Sequence, residues 1–393
     1  MVFSKIKFWL NFFFKVKIKL SYPKKNKILI FDNELSGINT KILGLKNYGV
    51  LHTRKEVYSL PILMNLLFNL KLSQLNYFKK YIEKSEADLI ITFIDNNLIF
   101  YRLKKFFALK KFIAIQNGHR MAYGDIFGHL KKVKDKDLSA DMIFTFNKNI
   151  GKEYNKRIKS KCLAVGSIKN NFIIKKSSNF KKKNLIYISA YRPIVSKILK
   201  NNVSFHDYED RSGKKFPYKF REHIHFDLPK LLKNYCLNYD LRLIILGATN
   251  DTPEKNFYQN ILKSDYIFKG KKGSFSNYRI IDKNDIIVST YSTLGYEAIA
   301  REKKVCFFSP LLSKYEKSYN FGWPYVKKQK NFFFTNNINY RSVERVINNL
   351  RSINYKEWRK KITNIKKNIM VYDSDNAQLK RYINNVIKKA QVE

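Results

Sequence analysis

The sequence predicts an α/β protein built from two doubly wound parallel sheets, and three observations support this fold class. Short apolar runs of strand length recur along the chain, and each run ends in polar or small residues. Segments with a helical spacing of apolar residues separate these runs, which is the alternation of a parallel sheet covered by helices. The chain of 393 residues also exceeds one ordinary hydrophobic core, so two domains are expected.

Five apolar runs predict the strands of the first half. A polar or glycine-containing turn follows each run, as is typical where a parallel strand is followed by a helix. Helices are predicted at 59–70 and 98–107. The strands are predicted at 27–31, 88–94, 111–115, 141–146 and 161–165.

A basic polar stretch at 175–183 interrupts the alternation and marks the boundary between the halves. The second half contains a long polar segment at 201–226 and a helix at 227–239. Two lysine-rich helices are predicted at the end of the chain, at 355–370 and 376–390. The strands of this half are predicted at 184–189, 242–246, 266–269, 285–288 and 305–308.

The balance of charges indicates an anionic partner. The chain has 77 Lys and Arg against 31 Asp and Glu, a formal net charge of +46. Such an excess favours a membrane surface, a nucleotide, a polyanionic acceptor or nucleic acid. We expect no nucleic acid, because the basic residues are dispersed and no helix-turn-helix, zinc finger or RNP-type aromatic motif is present.

The N-terminal segment at 1–21 is basic, aromatic and amphipathic. Its apolar run is far shorter than the roughly 20 residues that span a bilayer. No small-residue cleavage site follows it, which disfavours a signal peptide. Such a helix is typical of segments that lie on an anionic leaflet, although docking on its own domain is the alternative. We expect a cytoplasmic protein, peripheral on the inner face of the cytoplasmic membrane.

The cysteines and histidines predict neither a disulfide framework nor a metal site. Cys162, Cys236 and Cys306 are far apart and lie in or beside apolar segments, which suits a reducing compartment. The polar segment at 201–226 contains histidines and carboxylates, but their spacing matches no defined zinc site. The residues of that group are His206, Asp207, Asp210, His223 and His225.

Residues 286–308 are the most informative stretch of the chain. An apolar strand ends in small hydroxyl residues, a short helical segment follows, and a second apolar strand completes a βαβ unit. Ligands bind outside the carboxyl ends of such strands, and the free N–H groups of a helix start favour a phosphate. Simple helix capping is the alternative use of these residues. The donor-binding candidates in this segment are Ser289, Ser292, Thr293, Gly295 and Glu297.

Three residues of the second half have individual predicted roles. Glu297 lies four residues after Thr293, where its carboxylate could accept hydrogen bonds from ribose hydroxyls or complement the helix dipole. Arg192 follows the first strand of this half and is a candidate clamp on a diphosphate. Gly247 follows the strand at 242–246, where it would let the backbone approach a ligand or make a turn.

Two Rossmann-like domains facing a cleft, followed by C-terminal helices, are the GT-B arrangement. In that arrangement the acceptor lies on the first domain and the activated donor on the second, with reaction in the cleft. The expected segments are the N-terminal segment at 1–21, the acceptor-side domain at 22–178, the donor-side domain at 179–350 and the C-terminal helices at 351–393.

Several segments, in this order, resemble a bacterial family of surface carbohydrate (O-antigen type) biosynthesis proteins. They extend over roughly residues 27–350. The layout is more distantly similar to Kdo transferases and polyol-phosphate polymerases. The segments that carry the resemblance are 88–96, 115–120, 165–171, 254–258, 276–278, 289–298 and 321–324.

The resemblance implies a glycosyltransferase that transfers a sugar from a nucleotide-sugar donor to a lipid-linked or polysaccharide acceptor. It implies no cofactor beyond the nucleotide-sugar substrate, and no metal. Retaining GT-B enzymes often pair two glutamates eight positions apart near this helix. Here Ser289 and Val305 stand eight positions from Glu297, so inversion is expected. A polyol-phosphate or Kdo-type transferase, or a relative without catalysis, are the alternatives.

Inverting transfer needs a general base on the acceptor side and stabilisation of the leaving phosphate. Candidate bases are His119, Asp95 and Asp125, at or just after predicted strand ends. His119 has an intrinsic pKa near neutrality, whereas Asp95 could instead cap the following helix. Further acceptor-side candidates are Gln116, Asn117 and Arg120, of which Arg120 could neutralise a phosphate or lie solvated on the surface.

Overall fold

The structure is a computed structural model of the chain. It describes residues 16–54, 56–122, 125–131, 133, 137–174, 181–191, 223–309, 321–326 and 330–392. Over these residues the protein forms two six-stranded sheets and one two-stranded sheet, all with parallel neighbours. The predicted α/β class with two doubly wound sheets is therefore confirmed.

The first domain is built on the first six-stranded sheet. Its order is β3-β2-β5-β6-β7-β8, so the winding direction reverses between β2 and β5, where a crevice opens at the carboxyl ends of the strands. The strands β1 and β4 pair separately beside it. The strands in chain order are β1 Lys17–Lys19, β2 Ile28–Phe31, β3 Tyr48–Leu51, β4 Val57–Ser59, β5 Leu89–Thr92, β6 Lys111–Ile115, β7 Ser139–Thr145 and β8 Lys159–Ala164.

Helices cover both faces of the first sheet because its strands are buried on both sides. Phe31 and Ile90 pack into the hydrophobic cluster on one face, and Ile30 and Ile91 into the cluster on the other. This alternation follows from the two-residue repeat of a strand. The helices are α1 Ser36–Leu43, α2 Leu60–Phe68, α3 Gln74–Ser85, α4 Leu98–Leu103, α5 Ile126–Leu130, α6 Lys148–Asn155 and α7 Ile168–Phe172.

The second domain has the strand order β11-β10-β9-β12-β13-β14, which reverses between β9 and β12. This reversal is the second point at which a doubly wound sheet opens a crevice for a ligand. The strands are β9 Lys181–Ile188, β10 Arg242–Leu246, β11 Tyr266–Lys269, β12 Asn284–Ser289, β13 Lys304–Phe308 and β14 Phe334–Thr335. The first helices of this half are α8 Leu228–Asn238, α9 Thr252–Leu262, α10 Ser276–Asp282, α11 Thr293–Ala300 and α12 Tyr340–Ser352.

The last two helices, α13 Tyr355–Ile369 and α14 Ala377–Val392, pack on different domains. On α13, the buried Trp358 joins the hydrophobic core of the second domain and donates from its indole N–H to the carbonyl of Lys303 at 3.1 Å. On α14, Leu379 and Ile383 pack into the cluster beneath the first sheet. The chain between them therefore crosses from the second domain back to the first and ties the two together.

Candidate functional site

The polar segments after β6 and β12 meet between the two domains. The backbone N–H of His119 donates to the hydroxyl of Thr293 at 2.9 Å. The imidazole of His119 also stacks on the ring of Tyr296, with centroids 4.1 Å apart and planes inclined by 16°. The predicted acceptor-side segment and the predicted donor turn are thus in direct contact at the carboxyl ends of both sheets.

The helix α11 starts at this contact. Its N-cap residue is Ser292, whose side chain makes no capping hydrogen bond within the described part of the chain. The hydroxyl of Thr293 accepts from the first domain rather than from its own helix. Ser292, Thr293 and Leu294 are half-buried, and the first N–H groups of a helix have no partner within the helix itself.

Ser289 and Gly295 lie beneath α11 rather than in the cleft. The Oγ of Ser289 is fully buried and has no hydrogen-bond partner among the described residues. A Cβ at position 295 would lie 2.3 Å from that Oγ, so only glycine lets α11 pack this closely on β12. These two of the predicted donor residues therefore shape the turn, while Ser292 and Thr293 face the cleft.

Glu297 is buried and links the two domains. Its carboxylate accepts a hydrogen bond from Ser167 of the first domain at 2.5 Å and from Tyr278 on α10 at 2.8 Å. Burial raises the pKa of Glu297, while the hydroxyls of Ser167 and Tyr278 and the charge of Lys169 oppose that shift. The carboxylate that was predicted to bind ribose therefore forms a hydrogen bond between the two domains.

Arg120 lies buried between Asp95 and Asp125 and is neither a surface side chain nor a free ligand for a phosphate. Its Nε donates to Asp95 at 2.9 Å, its Nη1 lies 3.3 Å from both oxygens of Asp125, and its Nη2 pairs with Asp95 and donates to Asn117 at 2.7 Å. Although burial alone would lower it, Asp125 and Asp95 hold the pKa of Arg120 well above its usual range.

Asp95 is saturated with hydrogen-bond donors. Besides Arg120 it accepts from the hydroxyl of Tyr154 and from the backbone N–H of Asn117 at 3.2 Å. The side chain is fully buried. Asn97, and not Asp95, caps the following helix α4, by accepting from the N–H of Ile99 at 3.0 Å. Asp95 and Asp125 thus build the turn that carries His119.

His119 is the one predicted base that reaches the contact between the domains. Burial lowers its pKa to about 4, an effect that Asp125 opposes and Arg120 reinforces. The imidazole is therefore neutral at pH 7 and has a nitrogen lone pair available to accept a proton. Gln116 supports the same turn from below, because its amide accepts from the N–H of Phe146 at 2.7 Å and donates to the carbonyl of Gly118 at 2.8 Å.

Glu254 organises the corresponding turn of the second sheet, and sequence reasoning assigned it no role. Its buried carboxylate accepts from the N–H groups of Ala248 and Thr249, at 3.0 and 2.8 Å, and from the hydroxyl of Ser189 at 2.5 Å. Gly247 begins this turn and is buried, and a Cβ there would lie 2.9 Å from the ring of Phe268. Gly247 is therefore constrained by packing within the domain.

A polar pocket of about 610 Å³ lies at the winding reversal of the first sheet. Asp32, at the end of β2, accepts from the hydroxyl of Thr53 at 2.5 Å and from Nε of Arg54 at 3.2 Å. Asn97 and His129 complete its polar wall. The sequence could have indicated this pocket, because Asp32 follows a buried strand in the same way as Asp95.

Some predicted residues lie outside the described part of the chain. Arg192 is one of them, and His206, Asp207 and Asp210 are others. Among the residues that are described, no group of three His, Cys, Asp or Glu side chains is placed to hold a metal ion. No described helix is both long enough and apolar enough to cross a membrane.

Two Rossmann-like domains that meet at the carboxyl ends of their strands define a protein with the GT-B fold, and solved structures share it. They include a Staphylococcus aureus MnaA–UDP complex, with 13% identity, 94% of this chain and 97% of that chain covered, and a TM-score of 0.51. UDP-GlcNAc 2-epimerase from Neisseria meningitidis bound to UDP-GlcNAc matches with 11% identity, coverage of 95% and 100%, and a TM-score of 0.52. A variant of the wall teichoic acid polymerase TagF soaked with CDPG matches with 14% identity, coverage of 94% and 90%, and a TM-score of 0.52.

The family follows from the sequence match. A family model described as "putative O-antigen biosynthesis protein" matches residues 113–387, which is more than half of the chain, and the protein belongs to this family. The resemblance predicted from the short motifs is thereby confirmed. Among curated proteins, none matches the sequence.

Proposed function

We propose that this protein is a glycosyltransferase that moves a sugar from a nucleotide-sugar donor to a lipid-linked or polysaccharide acceptor in surface polysaccharide biosynthesis. The contact between the His119 segment and the start of α11 carries this proposal, because it joins an uncharged proton acceptor to an anion-binding helix start. Membership of the O-antigen biosynthesis family supports the pathway. The similar solved structures with bound UDP or UDP-GlcNAc support the class of donor.

The donor diphosphate binds at the first N–H groups of α11, beside Ser292 and Thr293. Two lysines add positive charge near Glu297 of the same helix. Lys169, half-buried on α7, has its pKa lowered by burial and by the nearby charge of Lys271, and Glu297 opposes this shift. A donor diphosphate between these two ammonium groups would relieve their mutual repulsion. The same ammonium groups would stabilise the negative charge of the nucleoside diphosphate when it leaves the sugar. No metal takes part in this proposal.

His119 serves as the general base for inverting transfer, and Asp95, Asp125 and Arg120 position it. With a pKa of about 4 in the unliganded protein, the ring is a weak base. A bound nucleoside diphosphate would raise this pKa, because an adjacent anion favours the imidazolium. The acceptor sugar would occupy the polar pocket beside Asp32 and Arg54, whose charged and amide groups suit hydroxyl recognition.

The donor site is tested by a thermal-shift screen of UDP, GDP, CMP, CDP and dTDP and of their sugar conjugates. A ligand at 100 times its dissociation constant stabilises the folded state by about 2.7 kcal/mol. We expect one nucleotide class to raise the melting temperature of the wild type, and Lys169→Ala to reduce that rise. Lys367→Ala, which removes an exposed lysine of α13, is the matched control. A screen without any stabilising nucleotide would contradict the proposal.

The class of reaction is tested by supplying the same nucleotides and nucleotide sugars as substrates and measuring turnover. A polyol-phosphate transferase would consume a CDP-activated polyol. This substrate is included because the fold is similar to that of the TagF variant soaked with CDPG. A Kdo-type transferase would consume a CMP-sugar, and a non-catalytic relative would bind a nucleotide without turnover. We expect turnover of a nucleotide sugar, with the opposite anomeric configuration in the product by NMR. Retained configuration would contradict inversion.

A lipid-linked acceptor would require the enzyme to work at a membrane. We propose that residues 1–21 attach the protein to the anionic inner face of the cytoplasmic membrane, because a lipid-linked acceptor resides there and the segment is basic and aromatic. Vesicle binding by the chain with and without these residues tests the attachment. Equal binding by both forms would exclude this role for the segment.

A further inference from the structure

Helix α2 is apolar around most of its circumference, yet the domain buries little of it. Of its nine residues only Ile62 and Leu66 are buried. On the outer face Leu67 is 50% exposed and Phe68 is 77% exposed. The loop that follows continues the same surface, with Leu70 92% exposed. A folded domain rarely leaves so many large apolar side chains together in water, and such a patch is typical of an interaction surface.

The first strand of the described chain extends this apolar surface. The strand β1 pairs with β4, directly before α2, and the carbonyl of Ser21 accepts from the hydroxyl of Ser59 at 2.8 Å. This pairing brings the exposed Leu20 and Tyr22 beside the start of α2. We name the resulting surface the α2 patch, and it consists of Leu20, Tyr22, Met64, Leu67, Phe68, Leu70 and Leu72.

The surroundings of the α2 patch are basic and contain no carboxylates from its own segments. The sequence has no Asp or Glu within residues 1–31 or within residues 57–82. Lys19 and Lys71 are sequence neighbours of patch residues, and Lys17 lies on the same strand β1 as Lys19. A recess of about 570 Å³ adjoins the patch, and Lys19, Lys24 and several tyrosines line it. Lysines and tyrosines around an apolar surface are typical of proteins that sit at a lipid headgroup layer.

We propose that the α2 patch inserts into the interface of an anionic lipid bilayer, with the surrounding lysines on the headgroups. The patch supplies apolar burial, the lysines supply attraction to negative charge, and the net charge of +46 acts in the same direction. A partner for this patch must offer both apolar area and negative charge, and an anionic bilayer offers both over a wide area. The inference goes beyond the proposed transfer reaction and does not depend on it, since α2 lies outside the cleft contact.

The test is co-sedimentation of the full-length protein with vesicles of phosphatidylglycerol and phosphatidylcholine, and with vesicles of phosphatidylcholine alone. The patch variant carries Leu67→Ser, Phe68→Ser and Leu70→Ser. A control variant carries Leu109→Ser, Ile174→Ser and Leu237→Ser, which removes three equally apolar side chains that are 94%, 78% and 57% exposed elsewhere. We expect the patch variant to bind anionic vesicles at least about tenfold more weakly, and the control variant to bind like the wild type.

A second measurement does not depend on a multiple substitution. The emission of Phe68→Trp minus that of the wild type, which isolates the added tryptophan from Trp9, Trp323 and Trp358, should shift to the blue with anionic vesicles and not with phosphatidylcholine alone. Only insertion removes this side chain from water. Unchanged sedimentation of the patch variant, or an equal loss in the control variant, would overturn the proposal. So would an unshifted emission at position 68, or a patch variant that changes only the oligomeric state. Vesicle binding is measured without nucleotide, so its failure is separate from a failure of the donor site.

Discussion

The hydroxyl of Ser167 donates to the carboxylate of Glu297 at 2.5 Å, and this hydrogen bond joins the first domain to the second. The bond lies where the donor would bind, because Glu297 is four residues into the helix whose N-terminus faces the cleft. A ligand that engages Glu297 would compete with Ser167 for the same carboxylate. In the proposed function, donor binding would therefore be coupled to the relative position of the domains through this one side chain.

The first prediction concerns this carboxylate. Glu297→Ala should lower the free energy of unfolding by about 1–3 kcal/mol, because the hydroxyls of Ser167 and Tyr278 lose their buried acceptor. Glu297→Gln should cost less, since its amide oxygen still accepts one hydrogen bond. Urea denaturation measures both. The control is Glu86→Ala, an exposed residue paired with Lys25, for which a change within about 1 kcal/mol is expected.

The second prediction concerns the pH dependence that His119 imposes. Its pKa is 6.5 in the unfolded chain and about 4 in the folded protein, so folding disfavours the protonated ring. Above pH 6.5 this group should not change the free energy of unfolding. As the pH falls from 6.5 towards about 4, the group should lower the free energy of unfolding. The wild type should therefore lose more stability than His119→Gln between pH 7 and pH 4. Parallel losses in the two proteins, measured by urea denaturation at each pH, would contradict the shift.

The third prediction concerns the buried ion pairs of Arg120. Removal of either partner leaves an uncompensated charge in the interior, so Arg120→Ala and Asp95→Ala should each cost about 3–5 kcal/mol. The double variant should cost less than the sum, because it leaves neither Arg120 nor Asp95 unpaired and only Asp125 loses its partner. A double-mutant cycle by chemical denaturation measures this coupling. Additive losses would show that the pair is not formed in solution, and Lys25→Ala serves as an exposed-pair control.

The fourth prediction concerns the packing of α11 on β12. Gly295→Ala should destabilise the protein by about 1–3 kcal/mol, because the new Cβ would lie 2.3 Å from the Oγ of Ser289. Adding Ser289→Gly should recover part of that loss. Gly37→Ala is the matched control, since nothing lies within 4 Å of its Cβ, and it should be neutral or slightly stabilising. Equal effects of the two alanines on the unfolding midpoint would contradict the close packing.

Strands with a strong local pattern were predicted well. The bounds of β10 and β11 agree with the predicted 242–246 and 266–269, because each is a short apolar run between polar residues. The strand β3 was not predicted, since Tyr48–Leu51 contains a glycine and is only four residues long. The helices α3 and α12 were also not predicted, although α12 buries Val343, Val346, Ile347 and Leu350 at a helical spacing that could have indicated it.

The sequence predicted that two of the candidate segments lie in one region, but it did not predict the contacts of their side chains. The rule that ligands bind at the carboxyl ends of parallel strands placed His119 and Thr293 in one region, and the structure brings them into contact. The position of Arg120 between Asp95 and Asp125 could not be predicted. An arginine in a loop can either lie on the surface or form a buried ion pair. Local sequence does not distinguish these two, since the choice depends on the carboxylates that surround the side chain after folding.

Apolar periodicity and strand-end chemistry were enough to predict the two sheets, their winding and the segments that border the cleft. These features are local, because a strand and its following turn are specified by adjacent residues. Only the tertiary structure shows that Glu297 forms a hydrogen bond between the domains, that Ser289 packs beneath α11, and that α14 packs on the first domain. Each of these depends on residues more than a hundred positions apart or on the closeness of packing, and such distances are set only when the hydrophobic surfaces come together.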